Sequence, residues 1–418
     1  MECEFYAGAG KAQIRFTDDM FPNYEENYTG IHDLPTVQVL ILQDEEAYAL
    51  VCADIVILMN RQPVIDHLTA RLGIPREHII LHTTHVLAMP HFGGDASAER
   101  IRARSKNTLS IDEAAAFAER ENRMYQALLQ ALDEACDAAL TDLRPARYGA
   151  GTCEAPVNVN RVIDDKGVWV QGTNPGGRTD QTVTVLKFED TAGRPIAVLF
   201  HCNVAPGCLE GSVAADGARL LSADLAGAAE RCLEQQIGAG AKAFWLTGTT
   251  GDQWQALRAR IDYIDESGEQ KFYDLGAEGF LMPELLGMRL AQMVEKTANE
   301  IVCGKPQEPI RMLHGSFAYP GSETQTADSP VDLLLIGEDA WVAVGVELTT
   351  DFGKKIKADS PFAHTVLIEF ATDGGRYMAE REYYAHQSYQ SEKSRFAAGA
   401  AELFLEDLRG MLCEAYKK

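Results

Sequence analysis

The sequence predicts an α/β fold in which layered mixed β-sheets are flanked by helices. Segments with the alternating apolar pattern of strands and segments with helical spacing follow one another irregularly along the 418 residues. Hydrophobic residues make up 46% of the chain, which is enough to build a large core. Because no internal repeat and no low-complexity tract interrupts the pattern, we expect a globular protein with a mixed sheet.

The first elements are predicted to be a hairpin, a helix and a buried strand. Alternating apolar residues at 37–43 and 47–58, joined by a short acidic turn, are typical of paired strands. Helical spacing over residues 61–72 predicts a helix that stops at Gly73. The short apolar run at 79–81 then predicts a strand buried on both faces.

The longest helix is predicted to begin at Ser110, because Ser110 and Glu113 have the spacing of a capping box. Its apolar residues keep the helical period and should form core packing: Met124, Leu128, Leu132, Ala135 and Ala139. Two strands are predicted after it, at 182–188 and 196–204, on either side of a Gly-Pro turn.

Ser222 is predicted to be the N-cap of the next helix, with Asp224 placed favourably at its positive end. The remaining predicted elements are a strand at 243–247, a helix at 280–301, a hairpin at 331–336 and 340–346, a helix at 348–358, a strand at 365–370 and a closing helix at 395–416.

Charge and cysteine content exclude several classes of protein. The net charge is −24, so the surface should repel the phosphates of nucleic acids, and no nucleic-acid partner is expected. The nine cysteines lie mostly in apolar or helical segments and predict reduced thiols. No basic, apolar leader opens the chain and no apolar run reaches about 18 residues, so we predict a cytoplasmic protein without a membrane partner. A small molecule is the expected partner, and homo-oligomerisation is left open.

Three histidines, His82, His85 and His91, follow the strand predicted at 79–81. His82 and His85 are three residues apart, so they leave an extended strand on opposite faces and cannot both bind one ligand. If one of them is functional, the other is structural. Judged by itself, a histidine at the end of a strand is more often a hydrogen-bonded structural residue than a ligand.

Residues 72–78, which contain a Gly-Ile-Pro turn, and the following Thr84-His85 resemble the neutral/alkaline ceramidase family. The resemblance implies that His85 binds zinc. It also implies two further zinc ligands: Glu347, at the end of a strand that resembles the family's strand ending in Pro-Gly-Glu, and Tyr377. Judged by spacing alone, Glu347 would more often be an acid in the first turn of a helix.

The resemblance covers nearly the whole chain and implies one ceramidase-like domain over residues 1–418, without the C-terminal β-sandwich of complete ceramidases. Residues 7–16 resemble the glycine-rich opening strand of the family. Residues 158–161 resemble an Asn-Arg segment near the family's active site, which places Arg161 there.

The chain departs from the family pattern at two positions of the site. Ala205 stands where the family has its second zinc-binding histidine, and His201 lies roughly 13 Å away along the strand, too far to replace it. Trp254 stands where the family has a serine implicated in catalysis. The other polar residues that could replace the lost ligand are His82, His91 and Asp252, of which His91 is best placed because it lies on a loop.

Two functions follow from this pattern. The first is a metal-dependent hydrolase, with zinc as the possible metal, acting on a linear amide bond of a small polar substrate rather than on ceramide. Asp252 or His91 would then move protons and Arg161 would position an anionic group. The alternative is a catalytically degenerate, ligand-binding or regulatory member of the family, because Ala205 and Trp254 replace functional residues. A purely structural protein fits poorly.

Overall fold

The computed structural model describes residues 4–93, 96–267 and 269–417. Its strands in chain order are β1 (Tyr6–Gln13), β2 (Gly30–Ile31), β3 (Thr36–Gln43), β4 (Ala47–Ala53), β5 (Ile79–Thr83), β6 (Arg144–Glu154), β7 (Asn158–Asp165), β8 (Val168–Asn174), β9 (Thr182–Asp190), β10 (Pro195–Cys202), β11 (Leu220–Leu221), β12 (Lys242–Thr247), β13 (Gln253–Gln255), β14 (Arg260–Ile264), β15 (Gln270–Asp274), β16 (Arg311–Pro320), β17 (Thr326–Ile336), β18 (Asp339–Val344), β19 (Glu347–Leu348), β20 (His364–Ile368) and β21 (Tyr377–Met378).

The α-helices are α1 (Gln62–Leu72), α2 (Ala98–Arg104), α3 (Ile111–Asp142), α4 (Asp224–Ile237), α5 (Leu281–Glu300), α6 (Thr350–Asp359), α7 (Arg381–Ala385), α8 (Tyr389–Lys393) and α9 (Ala400–Tyr416). The long helix α3 begins with the predicted capping box of Ser110 and Glu113. None of the helices in residues 4–93, 96–267 and 269–417 is long and apolar enough to cross a membrane.

Two mixed sheets form the centre of the fold, which confirms the predicted α/β class. The larger has eight strands in the order β12-β10-β9-β6-β1-β3-β4-β5, and the smaller has four in the order β16-β17-β18-β20. Most neighbouring strands are antiparallel, but β4 and β5, β10 and β12, and β18 and β20 pair in parallel. Smaller sheets, including β13-β7-β8 and the β19-β21 pair, lie at the ends of these strands.

The sheets are stacked face to face, with helices on both outer sides. Alternation along β3 shows the layers, since Leu40 and Leu42 pack with Trp341 of the smaller sheet, whereas Val39 and Ile41 pack with Leu128 of α3. A third cluster covers the outer face of the smaller sheet with apolar residues of α6 and α9, among them Phe352, Ile356, Phe404 and Leu408. The arrangement is therefore helix, sheet, sheet, helix.

The glycines of β1 let α3 approach the larger sheet closely. A Cβ atom on Gly10 would overlap the carbonyl oxygen of Ala135, and one on Gly8 would overlap that of Ala139. The glycine-rich opening strand therefore has a packing role, because no larger side chain fits between this strand and the helix.

Several predicted boundaries differ from the structure. The closing helix begins at Ala400 rather than 395, after Gly399 adopts a positive φ of 99° that favours glycine. The N-cap of α4 is Ala223 rather than Ser222, whose hydroxyl accepts a hydrogen bond from the backbone N–H of Asp224. Strand β4 ends at Ala53, and the polar strands β6, β7 and β8 lie in a region where no strands were predicted before residue 182.

Candidate functional site

Glu347 and Tyr377, two of the predicted zinc ligands, lie side by side. They are direct partners in the short parallel pair β19-β21, which follows the end of β18 in the smaller sheet. Glu347 is buried and Tyr377 is partly buried. The 29 residues of sequence between them include α6 and β20, so only the tertiary fold brings this carboxylate and this phenol together.

Arg161 joins these two residues. Its Nη2 donates to Glu347 Oε1 at 3.2 Å, to Tyr377 Oη at 2.8 Å and to the carbonyl oxygen of Gly251 at 2.9 Å. Arg161 is carried by β7, whose partner β13 follows Gly251. A guanidinium group thus lies against both predicted oxygen ligands.

Burial and charge act against each other at this cluster. Burial raises the pKa of Glu347, and the positive charge of Arg161 opposes that rise. Burial raises the pKa of Tyr377 well above its usual value, again opposed by Arg161. Burial alone would lower the pKa of Arg161, but the charges of Tyr377 and Glu347 outweigh it and raise that pKa. The guanidinium is therefore a permanent cation in this site.

His85 lies just beyond the end of β5 with a positive φ of 60°. Its Nδ1 lies 2.9 Å from the carbonyl oxygen of Val56, and its ring stacks on Phe370 with the centroids 3.9 Å apart. Because a carbonyl can only accept, Nδ1 carries the proton and Nε2 holds a free lone pair, which is the tautomer that a metal ligand needs. Burial lowers the pKa of His85 to about 4, and the Arg161 charge contributes, so the ring is neutral at neutral pH.

His82 and His201 are structural. His82 is fully buried, with Nδ1 hydrogen-bonded to the carbonyl oxygen of Glu369 and Nε2 accepting from the N–H of Thr247. His201 donates from Nε2 to the carbonyl oxygen of Leu367. Both histidines therefore connect the two sheets through hydrogen bonds to backbone groups.

Asp252 is buried behind the site and accepts hydrogen bonds through both carboxylate oxygens. The backbone and hydroxyl of Thr350 donate to Oδ1 at 2.9 and 2.7 Å, while Tyr383 and Asn160 donate to Oδ2. Asp252 also lines a cavity of about 340 Å³ together with Tyr383 and Trp169. These contacts fix the start of α6; the predicted proton transfer by Asp252 stays a prediction.

His91 is on the surface and pairs with Glu26. Its Nδ1 lies 2.7 Å from Glu26 Oε1, and its backbone N–H donates to the same oxygen. The hydrogen bond that the His91 ring donates to Glu26 raises the pKa of His91. The ring is near enough for its charge to act on His85, but it is turned towards Glu26. Its predicted roles in proton transfer and metal binding stay predictions.

At the position predicted to correspond to the family's second zinc-binding histidine, Ala205 presents a methyl group. Its carbonyl oxygen accepts a hydrogen bond from Gln255 Nε2 at 2.6 Å. The loop that follows carries Glu210 towards Arg161, and the carboxylate of Asp224 holds this loop by accepting from the N–H groups of Cys208 and Leu209.

Sequence reasoning missed Glu369 as a residue of this site. It is fully buried at the end of the smaller sheet and accepts from the N–H of Leu348 and from the hydroxyl and N–H of Thr250. Burial, aided by the nearby charge of Glu347, raises the pKa of Glu369 well above its usual value. The sequence does contain a signal for Glu369, because it is an acidic residue within the apolar run predicted as a strand at 365–370.

Glu210 and Arg258 were also missed, because they lie on loops without any local pattern. Arg258 Nη2 donates to Glu210 Oε2 at 3.1 Å, and the Arg258 guanidinium lies over the Trp254 ring at 3.9 Å from its centroid. The charge of Glu210 contributes to the raised pKa of Arg161, and the charge of Arg161 contributes to the lowered pKa of Arg258. They form the wall next to the cluster of Arg161, Glu347 and Tyr377.

The donors predicted for a metal are one nitrogen, from His85, and two oxygens, from Glu347 and Tyr377. Within the described ranges, no group of three or more His, Cys, Asp and Glu side chains is placed to hold a metal. A zinc site here would therefore depend on the phenol oxygen of Tyr377. Such a site would have three protein donors, which is the number that a catalytic zinc site usually has.

No family model and no curated protein matches the sequence. Comparison with solved structures does find matches. The neutral ceramidase from Pseudomonas aeruginosa superposes with a TM-score of 0.69 at 16% identity, over 99% of this chain and 74% of that one. A structure of ceramidase complexed with C2 superposes with a TM-score of 0.71 at 14% identity, over 99% of this chain and 76% of that one.

Because the superposition spans 99% of the residues, it includes both stacked sheets and the strand ends that carry the site. At such low identity, the similarity concerns the fold and leaves the chemistry open. This chain has the neutral ceramidase fold.

Proposed function

We propose that this protein is a zinc-dependent hydrolase that cleaves a linear amide bond in a small polar substrate. The observation that supports this proposal most is the convergence on Arg161 Nη2, which contacts both Glu347 and Tyr377. His85, with an unprotonated Nε2, lies within electrostatic reach of the same guanidinium. The fold is that of known hydrolases, the neutral ceramidases.

His85, Glu347 and Tyr377 are the residues proposed to hold the metal. A bound zinc ion supplies Lewis-acid chemistry: it polarises a carbonyl and acidifies water. The hydrogen bond that His85 Nδ1 donates to the carbonyl oxygen of Val56 orients the imidazole for this task, as is usual for histidine ligands. Stacking on Phe370 fixes the plane of the ring.

Arg161 is proposed to hold the substrate and to keep Glu347 ionised. Removing the positive charge would take away the largest effect that opposes burial and would shift the Glu347 carboxyl towards its neutral form. Asp252 and His91 are the proposed proton-transfer residues. Asp252 is linked to Arg161 through the backbone, since its carbonyl oxygen accepts from the Arg161 N–H at 2.8 Å.

The substrate is proposed to be smaller and more polar than ceramide. Trp254 fills the position at which ceramidases carry a serine hydroxyl, and its indole is buried and covered by Arg258. A bulky ring stacked under a charged group narrows the site and makes one of its walls cationic. A long acyl chain would gain little binding free energy from contact with this wall.

The proposal is tested by turnover of a panel of small N-acyl amides, with and without a chelator. We expect hydrolysis that a chelator abolishes and zinc restores. Glu347→Gln and Tyr377→Phe should lower kcat/KM by at least about 100-fold if each removes a ligand, as loss of an outer-sphere partner alone costs about 10- to 100-fold. Hydrolysis that survives both substitutions would contradict the proposal.

A second candidate is a ligand-binding member of the same fold without catalysis. The ion pair between Arg161 and Glu347 favours it, because the guanidinium neutralises the carboxylate without any metal. The methyl group of Ala205 favours it too. This candidate is supported if ligands raise the melting temperature while no amide or ester in the panel is turned over with zinc present.

A further inference from the structure

Arg258 is a buried cation whose hydrogen-bonding capacity is mostly unused. Its side chain is 6% exposed, and its one hydrogen bond within the described residues is from Nη2 to Glu210 at 3.1 Å. Nε and Nη1 have no hydrogen-bond partner there, and the closest acid to Nη1 is Asp262 at 4.0 Å, beyond hydrogen-bond range.

Unpaired N–H groups on a buried charge are costly, so such groups normally have a partner. The Trp254 ring covers one face of the guanidinium at 3.9 Å and compensates part of the lost hydration by a cation–π contact. It cannot accept hydrogen bonds in the guanidinium plane. The described part of the chain therefore supplies no acceptor for these two nitrogens.

Arg258 lies within electrostatic range of Arg161. Trp254 is paired with Val159 on β7, and Val159 and Arg161 project from the same face of that strand, so Trp254 and Arg161 lie on one face. The charge of Arg161 contributes to a lowered pKa of Arg258, after the larger effect of burial.

Arg161 also keeps a free nitrogen. Its contacts with Gly251, Glu347 and Tyr377 use Nε and Nη2 only, and its Nη1 makes no hydrogen bond in the described residues. Glu210 is the nearby acid that acts on both arginines, and it uses one nitrogen of Arg258. Two guanidinium groups within electrostatic range of each other thus have unused donors.

We propose that Arg258 and Arg161 form a carboxylate-binding subsite, with Trp254 as its flat wall. Carboxylate oxygens match guanidinium N–H groups in geometry and charge. The substrate class is then a linear amide that carries a free carboxylate near the scissile bond, as in an N-acylated amino acid. The assignment of this carboxylate to a substrate rests on the proposed function; the binding of a carboxylate does not.

The test is calorimetric titration of the full-length protein with N-acetylglycine and with N-acetylglycinamide, which differ in the carboxylate alone. The wild-type protein should bind the acid about 10- to 100-fold more tightly, which is the usual gain from hydrogen bonds to a charged group. Arg258→Gln should remove this preference, and Arg258→Lys, which keeps the charge without the planar fork, should keep part of it.

Arg260→Gln is the matched control. Arg260 is two residues away, its guanidinium lies 3.9 Å over the ring of Phe272, and its contacts are to Asp262 rather than to the cluster. It should keep the wild-type preference for the acid. If circular dichroism shows that Arg258→Gln is unfolded, the acid preference of Arg258→Lys is compared with that of the wild type instead.

The proposal is overturned if the wild-type protein binds the acid no better than the amide, including no binding of either, or if Arg260→Gln loses as much preference as Arg258→Gln. Acid preference without any hydrolysis would leave the subsite standing and count against the hydrolase. Hydrolysis without acid preference would do the reverse.

Discussion

Arg161 is the residue on which the candidate site depends. Its side chain and that of Glu347 are 9% and 8% exposed, so the ion pair between them is nearly free of solvent screening. Breaking such a pair by removing one partner leaves an uncompensated charge, whereas removing both partners costs much less. This asymmetry makes the pair accessible to a stability measurement.

We predict that Arg161→Met lowers the free energy of unfolding by about 3 kcal/mol, because Glu347 is then buried without a partner. The double variant with Glu347→Gln should recover part of that loss in urea titrations. Arg178→Met is the control. Because Arg178 pairs with Asp351 and Glu382 at the surface, this substitution should lower the free energy of unfolding by less than about 1 kcal/mol. Equal losses for the two single variants would contradict the proposed importance of burial.

Individual site residues could be predicted from the sequence where they stand in a segment with a recognisable motif. Residues outside such segments were missed. Glu347 and Tyr377 were predicted from local segments, and the structure places them together. That geometry makes the predicted site possible without testing its chemistry. Glu210, Arg258 and Glu369 were missed because their environment is created by loops and sheets that meet only in the folded chain.

At the scale of elements, α3 approaches β1 closely at the glycines of that strand. We predict that Gly10→Ala destabilises the protein by about 1–3 kcal/mol, because the new methyl group overlaps the backbone of Ala135, which cannot move without shifting the helix. Gly410→Ala is the control, since no atom lies within 4 Å of its Cβ position in α9.

Gly410→Ala should instead stabilise the protein by about 0.5–1 kcal/mol through helix propensity. Thermal unfolding of the two variants measures both effects. A neutral Gly10→Ala would mean that α3 does not pack on β1 as closely as the structure has it.

The parallel pair β18-β20 contains a pH-dependent contact. His364 Nδ1 lies 2.7 Å from Asp339 Oδ1, at the first register position of the two strands, and this hydrogen bond raises the pKa of His364 above 6.5. A raised folded-state pKa means that the contact stabilises the protein fully below about pH 6.5 and loses its effect as pH rises through the folded-state value.

We therefore predict that His364→Gln lowers the free energy of unfolding on the order of 1 kcal/mol at pH 6 and has less effect at pH 9. Guanidinium titrations at the two pH values measure the difference. His314→Gln, in the exposed cross-strand pair with Asp332, is the control and should change stability less at pH 6. A His364→Gln effect that grows with pH would contradict the assignment.

Elements with a strong apolar period were predictable, and polar ones were not. The core strands β3, β9, β10, β12 and β18 and the helices α1, α3 and α5 all lie close to their predicted positions. Strands β6 to β8 were missed because many of their side chains are polar and half exposed, so the alternation was hidden by Asn, Thr and Gly residues.

At the scale of the whole molecule, the site joins the two stacked sheets. His85 follows β5 at the edge of the eight-stranded sheet, whereas Glu347 follows β18 of the four-stranded sheet. The fold class was predictable from the mixture of strand and helix patterns. The order of strands in each sheet was not, because pairing between distant segments leaves no trace in a single sequence.

A ligand that binds residues of both sheets should stabilise the whole fold. By mass action, zinc at about 100 times its dissociation constant would add about 2.7 kcal/mol to the free energy of unfolding. We predict a corresponding rise in melting temperature with zinc for the wild-type protein and a smaller rise for Glu347→Gln. An equal rise in both would place the metal elsewhere.

The proposed zinc site is best tested by measuring zinc binding to the purified, metal-free protein and to His85→Ala. We predict that calorimetry finds one zinc ion per wild-type chain and that His85→Ala loses this binding, while His82→Gln, if folded, retains it. A wild-type protein that binds no zinc, or a His85→Ala variant that binds it as well as the wild type, would contradict the proposed zinc site.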